Sequence, residues 1–320
     1  MANALLKPVQ IEIFGKTDIG RTRVQNEDRF LTADLTTGVA SRQSRVCEQI
    51  LGERGALVVV ADGMGGAAAG EQASEMATEV IYAHLVQSWA NDAEERGPQR
   101  FAYRLKEAVE MANGQIHACA TSRPELREMG TTGTVAGLLH DHVYVAQVGD
   151  SRAYLVRGSH TYQLTRDQSL VQRLVELGEL TEEEAETSSR RNVLLQALGP
   201  SPAVDVDLTS QQVQKGDVLV LCSDGLSAAV STGEIAEIVG RERRVADACE
   251  RLIALANERG GRDNITVVLV RLDGEGLQSE VDGGAGYAVY RFAADRRGTT
   301  RYRALARALL GNRRKKGYGE

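Results

Sequence analysis

Residues 58–66, VVVADGMGG, join a short β-branched run to an acidic turn that is rich in glycine. Such a run predicts a buried strand, and the following Asp-Gly pair predicts a sharp turn at its end. The same relationship of an apolar run to an aspartate recurs along the chain. The runs are 57–61, 143–148 and 218–222, which precede Asp62, Asp150 and Asp224, and 265–272, which follows Asp263. Short turns of this kind can gather side chains from distant parts of the sequence at one edge of a sheet.

Helical periodicity separates these strands. Apolar residues at helical spacing predict two amphipathic helices, one over 73–85 and one over 105–116. A second helical zone covers 169–177 and 181–186, and Thr181 begins its second part with the pattern of a capping box. Strands and helices in separate blocks favour a layered α+β sandwich over a regular βαβ repeat.

The composition is that of an ordinary globular protein. Of 320 residues, 42% are hydrophobic and 26% charged, and the net charge of -6 gives no general electrostatic reason to bind nucleic acid. The four cysteines form no CxxC pair, which favours a reducing, cytoplasmic location. Neither a signal peptide nor a membrane-spanning stretch is evident.

The length predicts one large domain with an appendage. We assign residues 1–273 to the domain and treat 35–55 as an insertion within it. Residues 274–320 form a linker followed by a basic tail, in which an apolar helical face lies beside several Arg and Lys residues. This tail could dock an acidic partner, nucleic acid or an anionic membrane surface, or it could be a poorly ordered solubilising segment.

The aspartates indicate the chemistry when they are taken together. A lone Asp in a turn is most often an Asx-turn or a helix cap. Several carboxylates at one edge repel each other unless cations neutralise them, and Mg²⁺ and Mn²⁺ prefer such oxygen ligands. The histidines show no zinc-ligand spacing. A pair of divalent ions activates water for attack on a phosphoryl group, so phosphate hydrolysis fits these residues best.

Six ordered motifs support a family resemblance. They are TDIGRTRVQNED (17–28), VVVADGMGG (58–66), GTT (130–132), VGDSRAY (148–154), CSDGLS (222–227) and RDNITVVLV (262–270). Together, over about residues 10–272, they resemble the bacterial branch of the PP2C (PPM) protein phosphatases. The resemblance implies an α-β-β-α sandwich of two antiparallel sheets flanked by helices. It also implies hydrolysis of phosphoserine and phosphothreonine in proteins, opposing a cognate Ser/Thr kinase.

The resemblance implies a metal site at one end of the sandwich. In it, Asp62 resembles the carboxylate that bridges two Mn²⁺ or Mg²⁺ ions, and the Gly63 carbonyl resembles a ligand of the first. Asp224 and Asp263 resemble ligands of the second ion, and a water between the two is the implied nucleophile. Two further aspartates match supporting positions. These are Asp28, beside the metal cluster, and Asp150, which with Asp224 resembles a weaker third metal site.

Arg23 matches the phosphate-binding arginine of the family, and a guanidinium can hold two phosphate oxygens at once. Gly65 and Gly66 allow the sharp turn after Asp62. Thr131 and Thr132 are expected to shape the interior near the metals, and Asn264 to fix the loop that presents Asp263.

Three positions depart from the family pattern, and none is a metal ligand. Ala67 and Gln168 stand where many bacterial members have His, and Ser188 stands where a flap His is frequent. These changes argue against an imidazole as the general acid and favour a metal-bound water. Residues 165–199 match the region that forms a flap beside the active site.

Two other functions stay open from the sequence. The chain could be a catalytically silent PP2C-like sensor or scaffold, although its full set of aspartates argues against that role. The same centre could also hydrolyse another phosphate ester, such as a small metabolite or phosphotyrosine, because substrate choice depends on variable loops.

Overall fold

The computed structural model describes residues 7–92, 97–279 and 284–292. Its strands are β1 (Gln10–Asp18), β2 (Arg29–Asp34), β3 (Val39–Ser41), β4 (Cys47–Ile50), β5 (Ala56–Ala61), β6 (Gly63–Met64), β7 (Gly130–Thr131), β8 (Gly133–Leu139), β9 (His142–Val148), β10 (Arg152–Arg157), β11 (His160–Gln163), β12 (Asp207–Gln212), β13 (Val218–Cys222) and β14 (Ile265–Asp273). Its α-helices are α1 (Ala67–Asn91), α2 (Pro98–Ser122), α3 (Leu170–Glu176), α4 (Glu182–Thr187), α5 (Asp224–Ser227), α6 (Thr232–Arg241) and α7 (Val245–Glu258).

Two six-stranded antiparallel sheets form the middle layers. The first sheet has the order β11-β10-β13-β14-β1-β4, and the second has the order β12-β9-β8-β5-β2-β3. Helices α6 and α7 pack on strands of the first sheet, and α1 and α2 pack on strands of the second. The layers are therefore α-β-β-α, which confirms the predicted fold class.

The core between the two sheets explains the continuous apolar run that precedes Asp62. All six residues of β5 are buried. Val58 and Val60 belong to the cluster between the sheets, which also contains Leu221 and Val268 of the first sheet. Because side chains alternate along a strand, Leu57 and Val59 point to the opposite, helix-covered face. Burial on both faces requires apolar residues at successive positions, each contributing roughly 1.5–3 kcal/mol.

Side-chain caps set the helix boundaries. The Thr181 hydroxyl accepts from the Glu184 N–H, and the Glu184 carboxylate accepts from the Thr181 N–H, which confirms the predicted capping box at α4. Ser231 and Glu234 form the same motif at α6. Each motif satisfies two backbone donors that a helix start leaves unpaired.

The segment 35–55 contributes strands to both sheets. It contains β3, the outermost strand of the second sheet, and β4, the outermost strand of the first. The segment thus extends the sandwich at one side.

The compact unit that contains both sheets ends at Val289, beyond the end of β14 at Asp273. Leu277 is buried, and Gln278 bridges to Gln214. The predicted basic helix of the tail lies outside the described residues. Within the part of the chain that the structure describes, no helix is both long and apolar enough to cross a bilayer.

Candidate metal centre and active site

In the second sheet, antiparallel register brings three predicted site residues to one end. Arg29 pairs with Ala61, so Asp28, just before β2, lies beside Asp62, just after β5. Strand β9 ends at the same end of this sheet, before Asp150. In an antiparallel sheet, the start of one strand lies next to the end of the neighbouring strand. An aspartate just before one strand therefore lies close to an aspartate just after its neighbour.

The first sheet supplies the remaining side chains. Cys222 pairs with Val267, which brings the turn after β13, with Asp224, to the turn before β14, with Asp263. The loop after β1 carries Arg23 to the same end, and the Arg23 guanidinium forms an ion pair with the Asp263 carboxylate at 2.8 Å. The structure therefore places all the predicted site side chains at one end of the sandwich.

The aspartates influence one another electrostatically. Burial, followed by repulsion from Asp28 and Asp224, raises the pKa of Asp62 well above its usual range. Burial also raises the pKa of Asp28 to about 7 and that of Asp224 to about 6. The pKa of Asp150 rises to about 7, first by burial and then by the charge of Asp224. Burial and neighbouring like charges both disfavour the ionised form of a carboxylate, whereas a nearby cation favours it.

Two buried carboxylate oxygens at this end, Asp28 Oδ1 and Asp224 Oδ1, have no hydrogen-bond partner among the residues that the structure describes. Within residues 7–92, 97–279 and 284–292, no three His, Cys, Asp or Glu side chains already enclose a common point as metal ligands. Hard cations such as Mg²⁺ usually take only one or two carboxylates each and complete their shells with water. The oxygen-only chemistry and the two unpartnered oxygens fit such cations.

Two threonines fix the backbone of Asp62. The Asp62 N–H donates to Thr132 Oγ1 at 3.0 Å, and the Asp62 carbonyl accepts from Thr131 Oγ1 at 2.9 Å. Thr132 Oγ1 also lies 2.7 Å from Ser151 Oγ, next to Asp150. The expected structural role of the two threonines is thus visible as direct hydrogen bonds.

The turn after Asp62 uses glycine where a side chain is unfavourable. Gly65 and Gly66 have φ values of 114° and 85°, and Gly66 is the N-cap of α1. Other residues rarely adopt this left-handed region.

Asn264 holds the loop that carries Arg23. Its amide Nδ2 donates to the Ile19 and Gln25 carbonyls at 3.0 and 2.9 Å, and its Oδ1 accepts from the Glu27 N–H at 2.8 Å. The sequence predicted that Asn264 supports Asp263, and its backbone N–H does donate to Asp263 Oδ1 at 2.8 Å. The amide clamp on the arginine loop adds a role that the sequence did not indicate.

Segment 165–199 is anchored at both ends beside the aspartates. Near its start, Gln168 Oε1 accepts from the Gly149 N–H at 2.9 Å, and the Gln168 N–H donates to the Gly149 carbonyl. Near its end, Leu198 exchanges two backbone hydrogen bonds with Thr131. Gln168 therefore uses an amide to hold the turn before Asp150. No short-range sequence pattern signals these contacts.

A partly buried ion pair supports the backbone on the other side of Asp150. The Arg152 guanidinium binds both carboxylate oxygens of Asp167, with its shortest contact at 2.7 Å, and donates to the Tyr154 hydroxyl. Sequence reasoning missed this pair, although Arg152 lies within the quoted motif 148–154 and Asp167 stands next to Gln168.

The family model for protein phosphatase 2C matches residues 44–282. The chain belongs to the protein phosphatase 2C family. This membership confirms the family and the enzyme class that the motifs implied.

Individual relatives agree with this assignment. The chain is 37% identical over 258 residues to the serine/threonine phosphatase stp of Listeria monocytogenes, a match that covers 81% of this chain and 94% of the relative. The solved serine/threonine phosphatase of S. agalactiae is 34% identical, with a TM-score of 0.70, over 82% of this chain and 99% of that one. The catalytic domain of the protein phosphatase PstP, solved in complex with two manganese ions, is also 34% identical, with a TM-score of 0.66, over 83% and 99% of the two chains.

Proposed function

We propose that this protein hydrolyses phosphoserine and phosphothreonine in proteins with the help of Mn²⁺ or Mg²⁺. The observation that carries the proposal is the buried aspartate cluster with unpartnered oxygens on Asp28 and Asp224. Buried like charges are costly unless a cation compensates them. The names of the relatives, which are serine/threonine phosphatases, support the choice of substrate.

Two ions would be held by Asp62, the Gly63 carbonyl, Asp224 and Asp263, with Asp28 supporting them. A third, weaker ion would use Asp150 and Asp224, and the effect of Asp224 on the pKa of Asp150 supports their closeness. Bound there, paired divalent cations supply an activated water and offset negative charge on the phosphoryl oxygens.

The residues of the chain bind and orient the substrate. The Arg23 guanidinium is half-exposed and can present two N–H donors to phosphate oxygens. Thr131 and Thr132 hold the Asp62 backbone in place through their hydroxyls. Gln168 and Ser188 carry an amide and a hydroxyl in place of an imidazole. Neither side chain can therefore act as the general acid that protonates the leaving alkoxide near neutral pH.

The implied partners are phosphorylated proteins and the Ser/Thr kinase that modifies them. The aspartate cluster itself recognises only phosphate chemistry, so the protein part of the substrate must be selected by the surrounding loops.

The proposal is tested by turnover of a phosphothreonine peptide with Mn²⁺, with and without EDTA, for the wild type and Asp62→Asn. Both EDTA and the substitution should abolish turnover, because each removes part of the metal centre. Asp247→Asn, a matched change at a half-exposed ion pair, should leave turnover unchanged. Absence of turnover in folded, Mn²⁺-loaded protein would favour the silent sensor, and EDTA-resistant turnover would contradict the metal mechanism. If phosphotyrosine or a small phosphate ester is hydrolysed in preference to the phosphothreonine peptide in a competition assay, the proposed substrate class is wrong.

A further inference from the structure

Residues 284–289, called the strap below, add to the edge of the second sheet. The Ser210 N–H donates to the Ala288 carbonyl at 3.2 Å, and Thr209 and Val289 form an antiparallel bridge. Strand β12 is otherwise the outermost strand on this side. The family match ends at residue 282, before the strap begins. The strap is thus a structural addition to the matched region.

Tyr287 is the strap residue with the most specific contacts. The Arg166 guanidinium lies over its ring, 4.4 Å from the centroid, and its hydroxyl donates to Asp207 Oδ2 at 3.2 Å. A cation over an aromatic face is attracted by the negative potential of the ring. The ring therefore joins the strap to two separate parts of the chain.

Both partners of Tyr287 are connected to segment 165–199, and Arg166 is itself a residue of that segment. Arg166 forms an ion pair with Glu176, the last residue of α3, at 3.3 Å. The N–H of Arg166 also donates to Gln147 Oε1, which fixes its backbone to β9. Arg166 is followed in the chain by Asp167 and Gln168, which contact Arg152 and Gly149 on the two sides of Asp150.

The second partner of Tyr287, Asp207, is connected to the C-terminal end of segment 165–199. Asp207 lies two residues after Asp205, whose N–H donates to Gln196 Oε1 at 2.8 Å. The Gln196 amide returns a bond to the Asp205 carbonyl at 3.2 Å. Gln196 is close in the chain to Leu198, which pairs with Thr131 beside Asp62. One tyrosine ring thus connects to the start and to the end of the segment that borders the aspartates.

We propose that Tyr287 is a positioning residue that braces segment 165–199 for binding of a phosphoprotein. Its kinetic consequence rests on the proposed function. A phosphopeptide is long enough to contact the segment, whereas a small aryl phosphate reaches the aspartates and Arg23 alone. Loss of the brace should therefore weaken peptide binding more than it affects the aspartates, because Gln168 and Leu198 keep their own hydrogen bonds to Gly149 and Thr131.

The experiment compares Tyr287→Leu with Tyr287→Phe. Both remove the hydroxyl, but only the leucine removes the aromatic face under Arg166. We expect Tyr287→Leu to raise the KM for a phosphothreonine peptide by about threefold to tenfold. The kcat and KM for a small aryl phosphate should stay within about twofold of the wild type. Tyr287→Phe should show the smaller rise in peptide KM.

Tyr103 provides a matched control, because Arg100 lies over its ring at 5.5 Å on α2. Tyr103→Leu should leave both substrates unaffected. Equal changes for the peptide and the aryl phosphate in Tyr287→Leu, or no change for either, would overturn the proposal.

A second measurement separates the brace from the proposed function. Amide hydrogen exchange reports local opening and needs neither metal nor turnover. In metal-free protein, Tyr287→Leu should speed exchange within 165–199, and Tyr103→Leu should not. Unchanged exchange in Tyr287→Leu would refute the brace even if the enzyme is active. Faster exchange in a protein with no turnover on any phosphate would support the brace and reject only the proposed function.

Discussion

The Ser223 hydroxyl donates a hydrogen bond to Asp28 Oδ2 at 2.7 Å and accepts one from the Thr266 N–H at 2.9 Å. Ser223 follows β13 of the first sheet, and Asp28 precedes β2 of the second. The bond therefore joins the two sheets at the end where the aspartates lie. It also lowers the pKa of Asp28, although burial is the larger influence and raises it.

Replacing Ser223 by Ala should destabilise the protein by about 1–3 kcal/mol, because a buried carboxylate loses a donor. The other oxygen of Asp28 already has no hydrogen-bond partner within the described part of the chain. Chemical denaturation of metal-free protein measures the change. Ser159→Ala removes a hydroxyl from an exposed turn and should have little effect. Equal stability of the Ser223 and Ser159 variants would show that the bond across the sheets contributes nothing.

Asn264→Asp should impair phosphate binding through Arg23. The carboxylate keeps the shape of the amide but loses both donors to the Ile19 and Gln25 carbonyls. We expect kcat/KM for a phosphothreonine peptide to fall by at least about tenfold, because the arginine loop is no longer held in one geometry.

A double-mutant cycle tests the route of this effect. If Asn264 acts through Arg23, the loss in the double variant Asn264→Asp/Arg23→Ala should be smaller than the product of the single losses. Fully multiplicative losses would mean that the two residues act independently. Comparison with a small aryl phosphate then shows whether the loss concerns phosphate itself.

The strands and the acidic turns could be predicted because their signals are local. The apolar run before Asp62 predicted β5, and the four aspartates beside predicted turns meet at one end with Asp28, which the family resemblance added. Their convergence follows from antiparallel pairing, which the motif order implied through the family. The fold and the positions of the aspartates were thus accessible from the sequence.

Contacts between distant parts of the chain were not accessible. Ser223 and Asp28 are separated by 195 positions, and no periodicity connects them. Tyr287 lies in a glycine-rich stretch that reads as a linker, yet its ring is fixed by Arg166 and Asp207. Such pairs depend on how strands from both sheets are brought together, which short-range patterns do not encode.

A buried ion pair between Arg157 and Asp217 stabilises the first sheet. The guanidinium donates to both carboxylate oxygens, at 2.9 and 2.7 Å, and the side chains are only 8% and 1% exposed. Asp217 also accepts from the Gln214 N–H at 2.8 Å. Asp217→Asn should cost about 3–5 kcal/mol, because it removes the carboxylate charge that the buried guanidinium binds through two hydrogen bonds.

Thermal and chemical unfolding of Asp217→Asn measure this cost. Asp273→Asn is the matched control, since its carboxylate is half-exposed and pairs with Lys215 at 3.4 Å. That change should stay within about 1 kcal/mol of the wild type. If Asp217→Asn and Asp273→Asn have a similar stability, the Arg157–Asp217 pair contributes no more than an exposed surface ion pair.

A charge network joins the end of α1 to α2. The Arg104 guanidinium donates to the Asp92 carboxylate, with its Nε contact at 2.7 Å, and Arg100 adds two contacts of 3.0 Å. These bonds, those from Arg104 first, lower the pKa of Asp92 well below its usual range. The Asp92 side chain is 11% exposed, so solvent screens the network only in part.

Asp92→Asn should lower the unfolding temperature at neutral pH and lose this deficit in acid. A depressed folded-state pKa stabilises the protein above the unfolded-state pKa, about 3.9 for Asp, and this stabilisation is lost as the pH falls towards the folded value. The difference in Tm between wild type and variant should therefore be constant from pH 7 to about pH 5 and shrink below about pH 4. Asp247→Asn, at a half-exposed pair with Arg244, should match the wild type throughout. A deficit that persists unchanged at pH 3 would mean that lost packing or strain, and not the carboxylate charge, causes the destabilisation.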